Sequence, residues 1–245
     1  MIIDSHCHLK HGDADGTEYS ADTIVDVMNA VGIDRSVVFA MLTTTRRSIE
    51  LATAAVAQYP DRLIPYVYAL PHYQRPVLPE LEEALDGGFF GIKMHIGECR
   101  LSEHIADPVF ELAAAKDAPV LMDLGGDLAT AKRLARDHPQ TTLIIAHLGQ
   151  YKCTNDALID EFIGIAEQHE NVRLDASGVV MTYTIAEAVR RVGAERVLFG
   201  IDGPHTKPDL VSFAEYAIRQ INALDISDED RAMVLGGSAQ RLLGL

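Results

Sequence analysis

The chain has 245 residues, with 36 Asp and Glu against 21 Lys and Arg, for a formal charge of −15. An acid excess of this size repels phosphate backbones and anionic lipid, so neither nucleic acid nor a membrane is an expected partner. Apolar residues make up 48% of the chain, too many for a disordered protein, and no run approaches a membrane span.

Taken in order, the first strand is predicted over 2–7, and a helix over 22–30 follows, capped by Ser20 and ended by Gly32. The second strand, 35–41, precedes an alanine-rich helix over 46–58 that Pro60 stops. Strands at 63–70 and 89–95 flank a helix at 77–86. Strands at 119–124 and 141–147 flank one at 128–137, and a helix at 108–116 lies before them. A helix over 156–169, a strand at 172–177, a helix at 185–192 and a strand at 197–202 come next, then helices over 210–220 and 227–243.

Several strand bodies are continuously apolar, as in Ser36-Val-Val-Phe-Ala-Met41, the composition of a strand covered on both faces. Eight such strands alternating with helices predict a single closed (β/α)8 barrel, a TIM barrel, over residues 1–245. The first strand leads into His-Cys-His rather than a Gly-x-Gly-x-x-Gly turn, which argues against a dinucleotide fold. Cys7, Cys99 and Cys153 have no disulfide or zinc-knot spacing. Acidic and histidine residues precede any apolar segment of useful length. No export signal is therefore expected, and a reducing cytoplasm is the expected compartment.

Barrel chemistry gathers at the carboxyl ends of the strands. His6 and His8, two apart, project to one side of a strand and can form half of a divalent-metal site, with Cys7 on the opposite face. Lys93 and His95 end the fourth strand, Asp123 the fifth, His147 the sixth and Asp202 the eighth. A metal would satisfy several of these groups at once, since buried charges need partners.

The chain resembles the amidohydrolase superfamily, in its amidohydrolase-related group of aminocarboxymuconate-semialdehyde decarboxylase, aromatic-acid decarboxylases and lactone hydrolases. The resemblance lies in Asp4-Ser-His6-Cys-His8, Gly91-Ile-Lys93-Met-His95, Ala146-His147-Leu-Gly149 and Arg196-Val-Leu-Phe-Gly200-Ile-Asp202-Gly-Pro204. It implies a divalent metal on His6, His8 and Asp202, with Asp202 also managing a proton and His147 activating water or polarising substrate. Two departures stand out. Leu121-Met-Asp123-Leu-Gly125 occupies the place where the family often has a metal-binding histidine, so Asp123 is the expected fourth, oxygen ligand; Ser238 replaces a common Asn.

Zinc is the first expectation for the cofactor, with manganese or iron as alternatives favoured by an oxygen ligand. The first functional expectation is hydrolysis of a small lactone, amide or ester carrying a carboxylate, with Asp202, His147, His95 and Lys93 as catalytic groups. Non-oxidative decarboxylation with the same metal is the alternative, and a non-catalytic small-molecule-binding barrel is a third. Arg46, His72, Arg75, Arg100, Tyr151, Lys152, His205 and Lys207 are candidate loop contacts to an anionic substrate. The resemblance also admits self-association.

Overall fold

A computed structural model of the chain describes residues 1–11, 17–72, 75–99 and 102–245. Strand β1 (Ile3–His11) runs beyond its predicted end because its last residues pair antiparallel with a short β2 (Glu18–Tyr19). Helix α1 (Ala21–Val31) follows, with Ser20 Oγ accepting the Thr23 N–H at 3.2 Å and Gly32 closing it at φ 80°. Next come β3 (Arg35–Ala40), α2 (Thr45–Gln58), β4 (Leu63–Tyr68), α3 (Leu78–Asp86) and β5 (Gly91–His95). Helix α4 (Glu103–Ala115) starts well before Pro108, which sits inside it rather than opening it. The alternation continues with β6 (Val120–Asp123), α5 (Leu128–Asp137), β7 (Leu143–Ile145), α6 (Asp156–Gln168), β8 (Val172–Asp175), α7 (Tyr183–Val192), β9 (Val197–Leu198) and α8 (Leu210–Asn222).

The chain closes with α9 (Asp228–Ala232), a π-helical turn over Met233–Gly237, and α10 (Ser238–Leu243). Ser238 donates its hydroxyl to the buried Ala194 carbonyl at 2.8 Å, so it ties α10 to the segment before β9. Among the described residues no helix is long and apolar enough to cross a membrane.

The expected closed eight-stranded barrel is not what the strand pairing forms. The described strands make one nine-stranded sheet in the linear order β2-β1-β3-β4-β5-β6-β7-β8-β9, and β9 pairs only with β8. This sheet is open, though it curls until its two ends approach. Between β1 and the chain after β9 there is one isolated bridge, Cys7 to Gly203, with hydrogen bonds from Ser5 N–H to Phe199 O (2.9 Å) and from Asp202 N–H to His6 O (2.7 Å). The ladder fails here because β9 ends after two residues and the chain then leaves extended geometry, reaching a left-handed backbone at Asp202 (φ 58°). The expected alternation of parallel strands with helices survives; the closure does not.

Two apolar layers hold the sheet. One lies inside the curl, where Ile3, Val37, Phe39, Ile64, Tyr66 and Leu198 pack together with Ala239 of α10. The other fills the space between strands and helices. Every residue of β4 is buried, which is what coverage on both faces requires and why these strands read as unbroken apolar runs.

A candidate metal centre at the carboxyl ends of the strands

The polar residues singled out in the sequence lie on the side of the sheet where the strands end. His6 and His8 project to the same side of β1, and their rings stack with centroids 5.3 Å apart. Cys7 between them belongs to the outer apolar layer, as the strand's period of two demands. His6 is wholly buried. Its Nδ1 lies 2.9 Å from Asp175 Oδ2. A carboxylate can only accept, so Nδ1 carries the proton and Nε2 presents its lone pair. That lone pair faces Lys93 Nζ at 3.0 Å and Asp202 Oδ1 at 3.3 Å. The same Asp202 oxygen is 2.9 Å from His8 Nε2, while His8 Nδ1 is buried with no hydrogen-bond partner among the described residues.

His147 was expected at the end of a strand over 141–147, but β7 stops at Ile145. Beyond it His147 (φ 60°, ψ 29°) and Leu148 (φ 50°, ψ 32°) take left-handed backbone, which costs a non-glycine residue about 1–3 kcal/mol. This turn swings the His147 ring beneath the mouth, stacked at 5.0 Å on His6. Its Nδ1–H donates to the Ser177 carbonyl at 2.9 Å, and its Nε2 lies 3.4 Å from Asp123 Oδ2. Gly149 completes the turn at φ +110°, where an added Cβ would sit 2.1 Å from the Phe162 ring. Gly149→Ala is therefore expected to destabilise the protein by roughly 2–5 kcal/mol, combining a left-handed side chain with overpacking. A denaturation midpoint equal to that of the native chain would remove this turn as the reason for the glycine.

Asp175 was not among the residues expected from the sequence. It is fully buried at the end of β8, and its Oδ2 accepts from His6 Nδ1–H, from Ser177 Oγ–H at 2.5 Å and from the His147 backbone N–H at 3.4 Å. One signal could have found it: an acid ending an apolar strand, as Asp123 does. Asp4, known from the sequence only as part of a motif, accepts the backbone N–H groups of His6 (3.0 Å) and Ile201 (2.9 Å) and so pins β1 to the segment carrying Asp202.

His95 and Asp123 are register partners across β5 and β6. His95 Nδ1 accepts the Gly97 N–H at 2.9 Å, so its proton is on Nε2, which lies 3.2 Å from Asp123 Oδ2. Asp123 Oδ1 accepts the Gly125 N–H at 2.8 Å.

Burial pushes the Asp202 carboxyl up, but His6 and His8 beside it outweigh that and hold it below the usual carboxylate range. Burial lowers His8 to about 3 despite its contact with Asp202. His6 and Lys93 are likewise drawn down by burial, His6 further by the Lys93 charge. His147 goes the other way: burial lowers it, yet the Asp123 contact and the Asp202 and Asp175 charges together raise it.

Ligand atoms of His6, His147 and Asp202 lie within 4.8 Å of one another, a buried cluster able to coordinate a divalent cation. The donors fit such an ion: imidazole nitrogen and carboxylate oxygen are the usual zinc set, and the Asp175–His6 pair is the support that metal-binding histidines receive. His8 joins through Asp202 Oδ1. Asp123, the expected fourth ligand, lies outside this cluster.

Above the cluster is a cavity of about 530 Å³, whose lining includes Lys10, His95, Gln150, Tyr151 and His205. Of the loop residues expected from the sequence to meet an anion, Tyr151 and His205 are there. Arg46 instead pairs with Glu83 at 3.0 Å, Arg75 pairs with Glu80, and His72 bonds to Arg75 through the backbone. Lys152 lies over the Tyr151 ring at 4.9 Å, and Lys207 is exposed and does not line the cavity. Arg100 lies outside the described residues. Lys10 and Gln150 were not foreseen, since nothing in their local sequence separates them from surface residues.

Fold and site together define an α/β protein with a buried, metal-capable His/His/Asp cluster under an open cavity. The chain belongs to the amidohydrolase family, whose model matches residues 3–245. A gamma-resorcylate decarboxylase of Rhizobium sp. (strain MTP-10005) is 26% identical over 129 residues, which are 47% of this chain and 38% of that protein. The aligned segment is thus well under half the length of the relative. Among solved structures, an amidohydrolase from Burkholderia multivorans with bound zinc superimposes with a TM-score of 0.79 at 16% identity, covering 100% of this chain and 99% of that one. A probable 2-pyrone-4,6-dicarboxylic acid hydrolase from Acinetobacter baumannii with bound citric acid superimposes with a TM-score of 0.75 at 15% identity, over 100% and 99% of the two chains.

Proposed function

We propose that this protein is a metal-dependent decarboxylase that releases carbon dioxide from a small carboxylic acid without net oxidation. The observation that carries this reading is the state of His147. Its Nδ1–H is committed to the Ser177 carbonyl, and its Nε2 faces the Asp123 carboxylate, so both ring nitrogens meet acceptors. Such a ring is an acid rather than a base. Hydrolysis, the first expectation from the sequence, needs a group to take a proton from water, and Asp202, the group expected to do so, is engaged through Oδ1 with His6 and His8 in the metal-capable cluster. The sequence match to a decarboxylase supports the same choice.

His6, His8 and Asp202 would hold the divalent cation, zinc being the best fit to two imidazoles and a carboxylate. When bound, the cation would supply positive charge that holds the substrate carboxylate and a neighbouring oxygen in place. Asp175 keeps His6 in the tautomer whose Nε2 is available. His147 Nε2 delivers its proton to the carbon bearing the carboxylate, the bond to that carboxylate breaks, its electron pair returns to the framework, and carbon dioxide departs. One proton enters and one carbon dioxide leaves, with no redox change. His95, Gln150 and Tyr151 bound the cavity and orient the remainder of the acid, while Lys93 Nζ sits 3.0 Å from His6 Nε2 in the cluster.

The test is product analysis of the zinc-loaded protein on a panel of hydroxybenzoates, 2,6-dihydroxybenzoate among them, and of lactones such as 2-pyrone-4,6-dicarboxylate. The expected result is one carbon dioxide per acid consumed, abolished by His147→Ala. Ring opening of a lactone without carbon dioxide release would replace this reading with hydrolysis.

A further inference from the structure

We propose that Asp123 is a positioning residue that holds the His95 and His147 rings toward the cavity, and that it does not ligate the metal. Its oxygens face groups other than the His6–Asp202 cluster. Oδ1 accepts the Gly125 N–H at 2.8 Å, which fixes the carboxylate plane against its own loop. Oδ2 lies between two imidazole nitrogens, 3.2 Å from His95 Nε2 and 3.4 Å from His147 Nε2.

Backbone geometry builds this bridge. Register pairs His95 with Asp123 across β5 and β6, so the two side chains emerge side by side. On the far edge of β6, β7 ends at Ile145, and the left-handed turn at His147 brings its ring back toward Asp123. His95 must point its Nε2–H outward, because its Nδ1 already accepts the Gly97 N–H. An acceptor with no proton of its own can serve two imidazole N–H groups at once; an imidazole at position 123 could accept from only one. The carboxylate is therefore suited to the bridging place, while His6 and His8 meet at Asp202 Oδ1 without it.

The consequence for turnover rests on the decarboxylase reading, but the placement of Asp123 does not, and the experiment separates them. Apo protein is titrated with zinc against a chromophoric chelator for the native chain, Asp123→Ala, Asp123→Asn and, as a ligand control, His6→Ala. In parallel, 15N-histidine-labelled protein reports the ring nitrogens of each variant. Asp123→Ala is expected to bind zinc within about threefold of the native chain, while His6→Ala weakens binding on the order of a hundredfold. The His95 and His147 Nε2 resonances should shift in Asp123→Ala while those of His8 stay in place.

Decarboxylation by Asp123→Ala is expected to fall roughly 10–100-fold in kcat with KM little changed, and Asp123→Asn, which keeps one acceptor oxygen, to recover part of it. A loss of zinc affinity in both Asp123 variants as large as that of His6→Ala makes Asp123 a ligand and overturns the proposal. Unmoved His95 and His147 resonances overturn it as well. If the native protein turns over no acid, the functional reading fails, while affinity and spectra still decide the role of Asp123.

Discussion

Replacing His6 with alanine is expected to lower zinc affinity on the order of a hundredfold and to reduce carbon dioxide release to background, with helix content little changed. His6 is wholly buried, its Nε2 is aimed at Asp202 Oδ1, and its Nδ1–H is anchored on Asp175, so no neighbouring side chain can take its place. The variant also strips Asp175 of a donor and Lys93 of an acceptor. An unpaired buried group costs about 1–3 kcal/mol, so some stability is lost, but the apolar layers on both sides of the sheet remain. Elemental analysis of protein purified without chelator, beside far-ultraviolet circular dichroism, checks this outcome. Metal stoichiometry equal to the native chain's would end the assignment of His6 as a ligand.

Asp175→Ala should be the more damaging change to the fold. One carboxylate gathers the His6 ring, the Ser177 hydroxyl and backbone N–H, and the His147 backbone N–H, and all of these groups are buried. Burial pushes this carboxyl up, and the His6 charge and hydrogen bond outweigh it, so it is held ionised below the usual range. Deleting it leaves buried N–H and O–H donors without their acceptor, each costing about 1–3 kcal/mol. Zinc affinity should fall by roughly 10–100-fold, since His6 would no longer be fixed in its tautomer. Asp175→Asn retains an acceptor and should recover much of the stability. Urea denaturation of both variants with zinc titration tests this; an alanine variant as stable as the native chain would show that Asp175 is not the centre of the network.

Much of the site is legible in the sequence because it obeys short-range rules. His6-Cys7-His8 carries the period of a strand, and Lys93, His95, Asp123 and Asp202 each stand where an apolar run gives way to polar residues. Asp175 stands in the same kind of place, yet a lone acid after Val172-Arg-Leu resembles an ordinary strand exit and does not announce a network. The strand expected over 141–147 was too long, since apolar composition does not reveal where the backbone turns left-handed. The helix expected from Pro108 begins at Glu103 instead. Proline is common in a first turn, and here it is carried within the helix.

The chain by itself determined the alternation of strands and helices and the gathering of polar groups at strand ends, because both depend on residues a few positions apart. Tertiary structure alone decided that the sheet stays open between β9 and β1 and that His6 meets Asp175, a partner 169 residues away. It also set which partner each of the His6, His95 and His147 rings faces. Those outcomes are set by strand register, by two left-handed turns at His147 and Asp202, and by which acceptor each ring finally faces.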